Sequence, residues 1–317
     1  MAIPYPGGEP MNFTGAEIAS AFDHADPLTL GVEEELMLVD AETFEPARDG
    51  FSRVFGEPTE RIKPELFESF LEITTPVVST PEQAEFELRA LRQEVGERAA
   101  EHGLAVLATG SHPTMRGRVP LVPVERYLRL KEQLGPQLYR QHVCGLHVHV
   151  SVPDPDTCLR AFEGVVPALP GLLAASANSP YWEGVDSGWR SIRSQILLEM
   201  PTGGPPPLLR SWDDWEAATR GDSKRRHWDA WPRPEYGTLE VRVLDQPTSL
   251  RRSAELAAEV QRLVREAAEF DGPPHDREEY SAQRDIAGRQ GGGPEAERQL
   301  ELGPDAAVRE IAARTIG

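Results

Sequence analysis

The fold is decided largely by one stretch near the N-terminus, LGVEEELMLV at residues 30–39. Apolar residues fill most of this stretch, as expected for a strand in the middle of a sheet. Because successive side chains of a strand point to opposite faces, Glu33 and Glu35 share one face, while Val32 and Leu36 lie on the other. The stretch therefore predicts a buried strand with two carboxylates on one side.

Later stretches repeat this combination of apolar and ionisable residues. CGLHVHVSV at residues 144–152 and LEVRV at residues 239–243 both alternate, and FLEIT at residues 70–74 reads as a strand with Glu72 at its centre. A single polar strand face ordinarily faces water, but three of them favour a common site. The ionisable residues that share a face in the three best strands are Glu33 and Glu35, His147 and His149, and Glu240 and Arg242.

Carboxylates that converge on one sheet face repel one another unless a cation neutralises them. A set of glutamates with one or two imidazoles favours Mg²⁺ or Mn²⁺. The His-x-His pair alone would suggest zinc, so a zinc hydrolase stays an alternative. A polar face whose histidines are satisfied by protein partners is the structural alternative. The pattern thus predicts a site for a divalent metal, with Mg²⁺ or Mn²⁺ preferred.

Helical spacing separates the predicted strands. Thr80-Pro81, with Gln83 three residues after Thr80, opens a helix that Gly103 ends. Strands separated by long helices, with polar residues on one face, indicate an α+β fold with helices on one side of the sheet and a catalytic face on the other. Residues 1–27 are predicted to be a partly flexible N-terminal extension, and residues 28–317 a single catalytic domain with a helical C-terminal segment.

Composition excludes several classes of function. The 317 residues carry 33 Lys and Arg against 52 Asp and Glu, and the formal net charge of −19 disfavours binding to nucleic acid or anionic membranes. The two cysteines cannot form a disulfide framework, and the N-terminus has no signal-peptide pattern, so we expect a cytoplasmic protein. Neither a P-loop nor a Rossmann glycine motif occurs, so arginines and metals would have to hold any nucleotide.

Six motifs follow one another across about residues 28–250. They are LGVEEE at 30–35, LEITTP at 71–76, TGSHP at 109–113, CGLHVHV at 144–150, the loop at 178–193, and Arg233-Pro234 followed by TLEVRV at 238–243. In order and spacing they resemble the motifs of the carboxylate-amine ligase family, type 2 glutamate-cysteine ligase. The resemblance implies a glutamine synthetase-like fold, in which a curved, mostly antiparallel sheet holds ATP, Mg²⁺ ions and glutamate on its concave face.

The resemblance also implies roles for individual residues. The implied metal ligands are Glu33, Glu35, Glu65, Glu72, His147 and Glu240. Arg193 and Arg242 match arginines that contact the substrate carboxylate or the transferring phosphate, and they are the implied catalytic residues. Further substrate or nucleotide contacts are implied at His149, Asn178, Trp189 and Arg233.

The implied function is an ATP-dependent ligase that joins the γ-carboxylate of glutamate to an amine, such as that of cysteine, through γ-glutamyl phosphate. Its partners would be these small molecules, and whether copies of the chain form a homo-oligomer stays open. The C-terminal third departs from the family pattern, with Tyr280 where asparagine is expected and Asp285 where glycine is expected. This departure keeps open an alternative, a metal- and nucleotide-binding module without turnover.

Overall fold

The computed structural model describes Ile18, Phe22 and residues 26–200, 202–219 and 227–316. The N-terminal extension predicted over residues 1–27 therefore lies almost entirely outside the described residues.

Seven of the described strands form one antiparallel sheet. They are β1 (Leu30–Asp40), β2 (Ile62–Pro64), β3 (Phe70–Thr74), β4 (Leu104–Leu107), β5 (Gly145–Ser151), β6 (Ala230–Arg233) and β7 (Thr238–Asp245). Their order is β6-β7-β5-β1-β3-β2, and β4 also pairs with β1. Two-residue strands pair outside this sheet, Tyr181–Trp182 with Val185–Asp186 and Gly203–Gly204 with His227–Trp228.

The helices that the structure describes lie between and after these strands along the chain. They are α1 (Gly50–Val54), α2 (Pro81–Glu101), α3 (Glu125–Leu134), α4 (Pro155–Val165), α5 (Leu169–Ser176), α6 (Ile192–Ile196), α7 (Trp212–Thr219), α8 (Leu250–Ala267), α9 (Arg277–Gln290), α10 (Pro294–Leu302) and α11 (Pro304–Thr315). The predicted N-cap of α2 is present, because Thr80 Oγ1 accepts from Gln83 N at 3.3 Å. The reciprocal bond of a capping box is shifted by one residue, since Gln83 Oε1 accepts from Ser79 N at 2.8 Å and not from Thr80 N.

The main core lies between one face of the sheet and the helices α2, α4 and α8. Val32, Leu36 and Leu38 of β1 belong to this core, together with apolar residues of the three helices. On the opposite face of β1, Met37 and Val39 belong to a second, smaller apolar cluster. Period-two alternation thus separates the two faces as predicted, and it leaves the opposite face free to carry polar residues near Glu33 and Glu35.

One helical segment, Pro155–Ser176, is long and apolar enough to cross a membrane by length and composition alone. It comprises α4, a 3₁₀ turn at Val166–Ala168 and α5, and 56% of its most apolar 18-residue window is buried. Phe162 and Leu173 are among its residues that pack in the main core. Core packing therefore accounts for its apolar composition.

Candidate active site

Strand register brings the predicted ionisable residues together. β1 lies between β3 and β5, and β5 pairs with β7. Side chains of β3, β5 and β7 therefore lie close to those of β1. The cross-strand partners are Glu33 with His147, Glu35 with Glu72, and His149 with Glu240. We call Glu33, Glu35, Glu72, His147, His149 and Glu240 the carboxylate cluster.

One group of possible metal ligands consists of Glu33, Glu72 and His147. Each offers an oxygen or nitrogen atom that lies within 4.8 Å of the others. His147 Nδ1 lies 3.4 Å from Glu33 Oε2, and its Nε2 lies 3.9 Å from Glu35 Oε1. Two carboxylates and an imidazole at this spacing form a donor set suited to a divalent cation.

A second group consists of Glu33, His149 and Glu240, again with ligand atoms within 4.8 Å of one another. His149 Nε2 lies 3.7 Å from Glu33 Oε1 and 3.6 Å from Glu240 Oε1. Within the described part of the chain this buried nitrogen has no hydrogen-bond partner. Its Nδ1 lies 3.0 Å from Thr238 Oγ1, which orients the ring and leaves Nε2 directed at the carboxylates. An unpartnered buried nitrogen between two carboxylates fits a metal ligand.

The charges of the cluster are not balanced by its own imidazoles. Burial, followed by repulsion from Glu33 and Glu65, raises the pKa of Glu72 well above its ordinary value. Burial also raises the pKa of Glu65 to about 7, against the attraction of Arg126. Glu33 behaves differently: burial opposes its ionisation, but hydrogen bonds to His147 and His149 hold its pKa well below the ordinary value. A bound cation would favour the ionised form of all three carboxyls.

We expect the metal-free protein to lose stability through Glu65 as the pH rises from about 4.5 towards 7. Burial raises the pKa of Glu65 from 4.5 to about 7, so in this range the folded chain holds a proton that the unfolded chain has released. Thermal melts at several pH values in a metal chelator, for the wild type and Glu65→Gln, measure the effect. The melting temperature of the variant should fall less with rising pH, and parallel curves would contradict the assignment.

Arginines surround the Glu240 end of the cluster. Arg233 Nη1 donates to Glu240 Oε2 at 2.7 Å, and Arg242 Nη1 donates to Glu240 Oε1. Burial opposes ionisation of Glu240, but the attraction of Arg242 and Arg233 holds its pKa below the ordinary value. Glu240 therefore accepts hydrogen bonds from two guanidinium groups and also faces His149.

Arg193, from α6, reaches the backbone of the same strand, β7. It is 3% exposed, and its guanidinium donates to the carbonyls of Val243 at 3.3 Å and Arg242 at 3.1 Å. A Cβ at position 145 would lie 2.1 Å from Arg193 Nη2, so Gly145 is required for this approach. The N–H of Gly145 also donates to Glu35 Oε2 at 2.5 Å. Gly145 therefore links Arg193 to the carboxylate cluster.

A bulge in β7 sets the direction of Arg242. The register between β7 and β5 shifts between Val241 and Leu244, and the carbonyl of Asp229 accepts from Arg242 N at 2.8 Å and Val243 N at 3.1 Å. The carboxylate of Asp229 binds C-terminal residues, accepting from Arg284 Nε at 2.6 Å and Tyr280 Oη at 2.7 Å. The C-terminal segment thus fixes the backbone that carries Arg242.

Asn178 and Trp189, two predicted substrate contacts, have protein partners elsewhere. Asn178 Nδ2 donates to Gln246 O at 2.8 Å, and Asn178 Oδ1 accepts from Gln299 Nε2 at 2.7 Å. Trp189 lies under Arg289, whose guanidinium carbon is 3.9 Å from the ring centroid. These contacts give both residues a role in seating the C-terminal helices, and their substrate contacts stay predictions.

Other residues of the site carried no pattern that sequence reasoning could use. Tyr236 packs edge-on against His149 with ring centroids 5.8 Å apart, and Arg233 lies 5.2 Å above the Tyr236 ring. Burial and then the charge of Arg242 lower the pKa of His227 to about 3, so this imidazole is neutral. Lys63 of β2 lies opposite Glu72 in the register. Only the pairing of strands and loops reveals these neighbours.

Comparison with known sequences identifies the family. A model of glutamate-cysteine ligase family 2 matches residues 29–288. A Rubrobacter xylanophilus protein, provisionally named glutamate–cysteine ligase 2-1, is 40% identical over 258 residues, which cover 78% of this chain and 69% of that protein. A Herpetosiphon aurantiacus relative, provisionally named glutamate–cysteine ligase 2, is 34% identical over 250 residues, covering 75% of this chain and 65% of the relative. The chain therefore spans about two thirds of the length of these relatives.

Solved structures share the fold. Glutamate–cysteine ligase from Francisella tularensis, determined in complex with AMP, aligns with a TM-score of 0.59 and 12% identity over 92% of this chain and 80% of that one. A bifunctional glutathione synthetase from Pasteurella multocida aligns with a TM-score of 0.60 and 16% identity over 95% of this chain and 50% of that one. The predicted α+β, glutamine synthetase-like fold is confirmed. Given the family match over most of the chain and the relative at 40% identity, this chain belongs to glutamate-cysteine ligase family 2.

Proposed function

We propose that this chain is an ATP-dependent ligase that joins the γ-carboxylate of glutamate to an amine, with cysteine as the first candidate. The observation that carries the proposal is the pair of ligand groups that share Glu33, with guanidinium groups beside them. The family membership and the AMP complex of the Francisella tularensis enzyme support it.

Glu33, Glu72 and His147 would hold one divalent cation, and Glu33, His149 and Glu240 a second. When bound, Mg²⁺ or Mn²⁺ supplies charge neutralisation for the phosphates of ATP. The arginines supply further positive charge at the site. Arg233 and Arg242 bring fixed positive charge to the edge of an acidic cluster that would otherwise repel ATP and glutamate.

In the proposed reaction, an oxygen of the glutamate γ-carboxylate attacks the γ-phosphorus of ATP, and ADP leaves. The amine nitrogen then attacks the carbonyl carbon of γ-glutamyl phosphate, loses a proton, and expels phosphate. Phosphoryl transfer depends mainly on positioning and electrostatic stabilisation. A site whose carboxylates and imidazoles hold divalent cations, with guanidinium groups beside them, therefore needs no protein nucleophile for the first step.

The test is release of ADP with Mg²⁺, glutamate and a panel of amines that includes cysteine and hydroxylamine. We expect ADP release to require glutamate and to be accelerated by at least one amine. Micromolar ATP binding without turnover under any acceptor would instead favour a binding module. Stoichiometric zinc in protein purified without added metal would favour the zinc hydrolase.

We expect Arg242→Lys to lower kcat/KM by about 10- to 100-fold, because the variant keeps the charge but loses the planar fork of the guanidinium. The sequence leaves open a purely supporting role in which Arg242 pairs with Glu33 or Glu35, whereas its carboxylate partner in the structure is Glu240. A Mg²⁺ titration of the variant distinguishes an Arg242 that contacts the substrate from an Arg242 that only holds a metal ligand in place. Activity that excess metal restores completely would contradict the contact with substrate.

A further inference from the structure

We propose that Tyr280 is a positioning residue for Arg242, and that α9, the helix that carries Tyr280, sets the direction of the Arg242 guanidinium from outside the site. The inference rests on the proposed function, because it concerns a residue that serves the same reaction. Tyr280 stands where the family pattern expects asparagine, so the contact that it makes belongs to this chain. Its hydrogen-bond partner is Asp229, not a residue of the carboxylate cluster.

Asp229 connects α9 to β7 through its side chain and its backbone. The carboxylate accepts from Tyr280 Oη at 2.7 Å, from Arg284 Nε at 2.6 Å and from Arg284 Nη2 at 3.1 Å. These three residues are at most 3% exposed, so water hardly competes for the bonds. The backbone carbonyl of Asp229 accepts from the N–H groups of Arg242 at 2.8 Å and Val243 at 3.1 Å. A shift of Asp229 would therefore move both peptide groups.

Arg193 holds the carbonyl groups of the same two residues. Its Nη2 donates to the carbonyl of Arg242 at 3.1 Å, and its Nη1 donates to that of Val243 at 3.3 Å. Because the bulge in β7 interrupts the ladder at this point, the regular bonds of a strand do not hold these groups. Asp229 and Arg193 take the place of those bonds, and together they fix the backbone from which the Arg242 side chain extends.

The same helix also seats the segment that carries Arg193. The carbonyl of Gly288 accepts from the N–H groups of Arg190 at 2.8 Å and Ser191 at 3.0 Å, directly before α6. A Cβ at position 288 would lie 2.7 Å from a side-chain oxygen of α6, so glycine is required for this approach. One helix thus supports both groups that hold the bulge, Asp229 from its first half and Arg193 from its last turn.

Of the two guanidinium groups at the bulge, that of Arg242 is the more accessible. The Arg242 side chain is 18% exposed, against 4% for Arg193. Its Nη1 donates to Glu240, and its further donors are available to an anionic group of ATP or glutamate. A displacement of about 1 Å in a group that contacts the reacting atoms costs about 100-fold in rate. Loss of the Tyr280 hydroxyl should therefore slow the reaction, although this hydroxyl lies outside the site.

A double-mutant cycle tests the positioning role. We expect Tyr280→Phe to lower kcat/KM for glutamate by about 10- to 100-fold in the wild-type background, but by less than about twofold in Arg242→Lys. The matched control is Ser253→Ala, because Ser253 Oγ donates at 2.5 Å to Glu34, another buried carboxylate that is paired with an arginine. Ser253→Ala should lose a comparable part of its stability in urea and keep the wild-type kcat/KM.

Hydrogen exchange followed by mass spectrometry reports on the backbone without turnover. In Tyr280→Phe, the peptide that contains Arg242 and Val243 should exchange about tenfold faster or more, whereas Ser253→Ala should leave its exchange unchanged. Melting curves establish beforehand that each variant is folded.

Three results would overturn the proposal. They are wild-type kcat/KM in Tyr280→Phe, an equal fold-loss in both backgrounds, and unchanged exchange of the peptide that contains Arg242. If the wild type releases no ADP in the presence of glutamate, the proposed function fails instead. The exchange experiment then still decides whether α9 holds the bulge.

Discussion

Glu33→Gln should reduce glutamate-dependent ADP release by at least about 100- to 1,000-fold, the loss expected when a preorganised electrostatic contact is removed from a reacting site. Glu33 is the residue common to both ligand groups, and its carboxylate lies within 4 Å of His147 and His149. The amide is nearly isosteric, but it is neutral and a weaker ligand for Mg²⁺ or Mn²⁺. One substitution should therefore disable both metal positions.

A calorimetric titration with Mn²⁺ measures the metal binding directly. We expect the affinity of Glu33→Gln for Mn²⁺ to fall by at least about 100-fold. This loss is larger than the one expected from changing a residue that only hydrogen-bonds to a metal ligand. Glu42→Gln, an exposed position just beyond β1, is the matched control and should behave as the wild type. Wild-type affinity for Mn²⁺ in folded Glu33→Gln would contradict the assignment of Glu33 as the shared ligand.

The placement of the carboxylate cluster was predictable because it depends on strand periodicity. Alternation along residues 30–39 put Glu33 and Glu35 on one face, and the same rule put His147 and His149 together. The structure confirms both pairings through the antiparallel register of β1 and β5. Alternation says nothing about which strands are neighbours. The resemblance to the family implied a common metal site but no strand order, which the structure supplies.

The contacts of the arginines were not predictable from a local pattern. Arg242 lies at a bulge, and its direction depends on the carbonyl of Asp229. The carboxylate of Asp229 is held in turn by Arg284, which lies 55 positions after Asp229 in the chain. Tyr280, a departure from the family pattern, donates to the same Asp229 carboxylate. The divergent C-terminal segment therefore has a structural role in the site, which a comparison of motifs alone does not reveal.

The partner of Glu34 was likewise not predictable from the sequence. Its position between Val32 and Leu36 placed it on the apolar face of β1, where an ionised carboxylate needs a partner. That partner is Arg92 of α2, with Arg92 Nε donating to Glu34 Oε2 at 2.7 Å and Nη2 to Oε1 at 2.8 Å. Both side chains are fully buried. Start and stop signals predicted α2 but gave no indication that Arg92 belongs to its buried face.

Arg92→Met should lower the free energy of unfolding by about 3–5 kcal/mol, the cost of leaving a buried charge without its partner. Besides Glu34, Arg92 Nη1 donates to the carbonyls of Thr248 at 2.6 Å and Thr315 at 2.8 Å. One side chain therefore joins β1, the turn after β7 and the end of α11. Urea denaturation followed by fluorescence and circular dichroism measures the loss, and both signals should shift together because these elements belong to one buried network.

Arg89→Met is the matched control, because Arg89 lies on the same helix and pairs with Glu85 at 2.7 Å, but with its side chain 44% exposed. An exposed pair of this kind contributes about 0.3–0.5 kcal/mol, so its removal should hardly move the denaturation midpoint. Combining Glu34→Leu with Arg92→Met removes the unpaired carboxylate and should recover part of the loss. Recovery should be incomplete, because the carbonyls of Thr248 and Thr315 still lack their donor. An Arg92→Met variant no less stable than Arg89→Met would show that the buried pair does not hold these elements together.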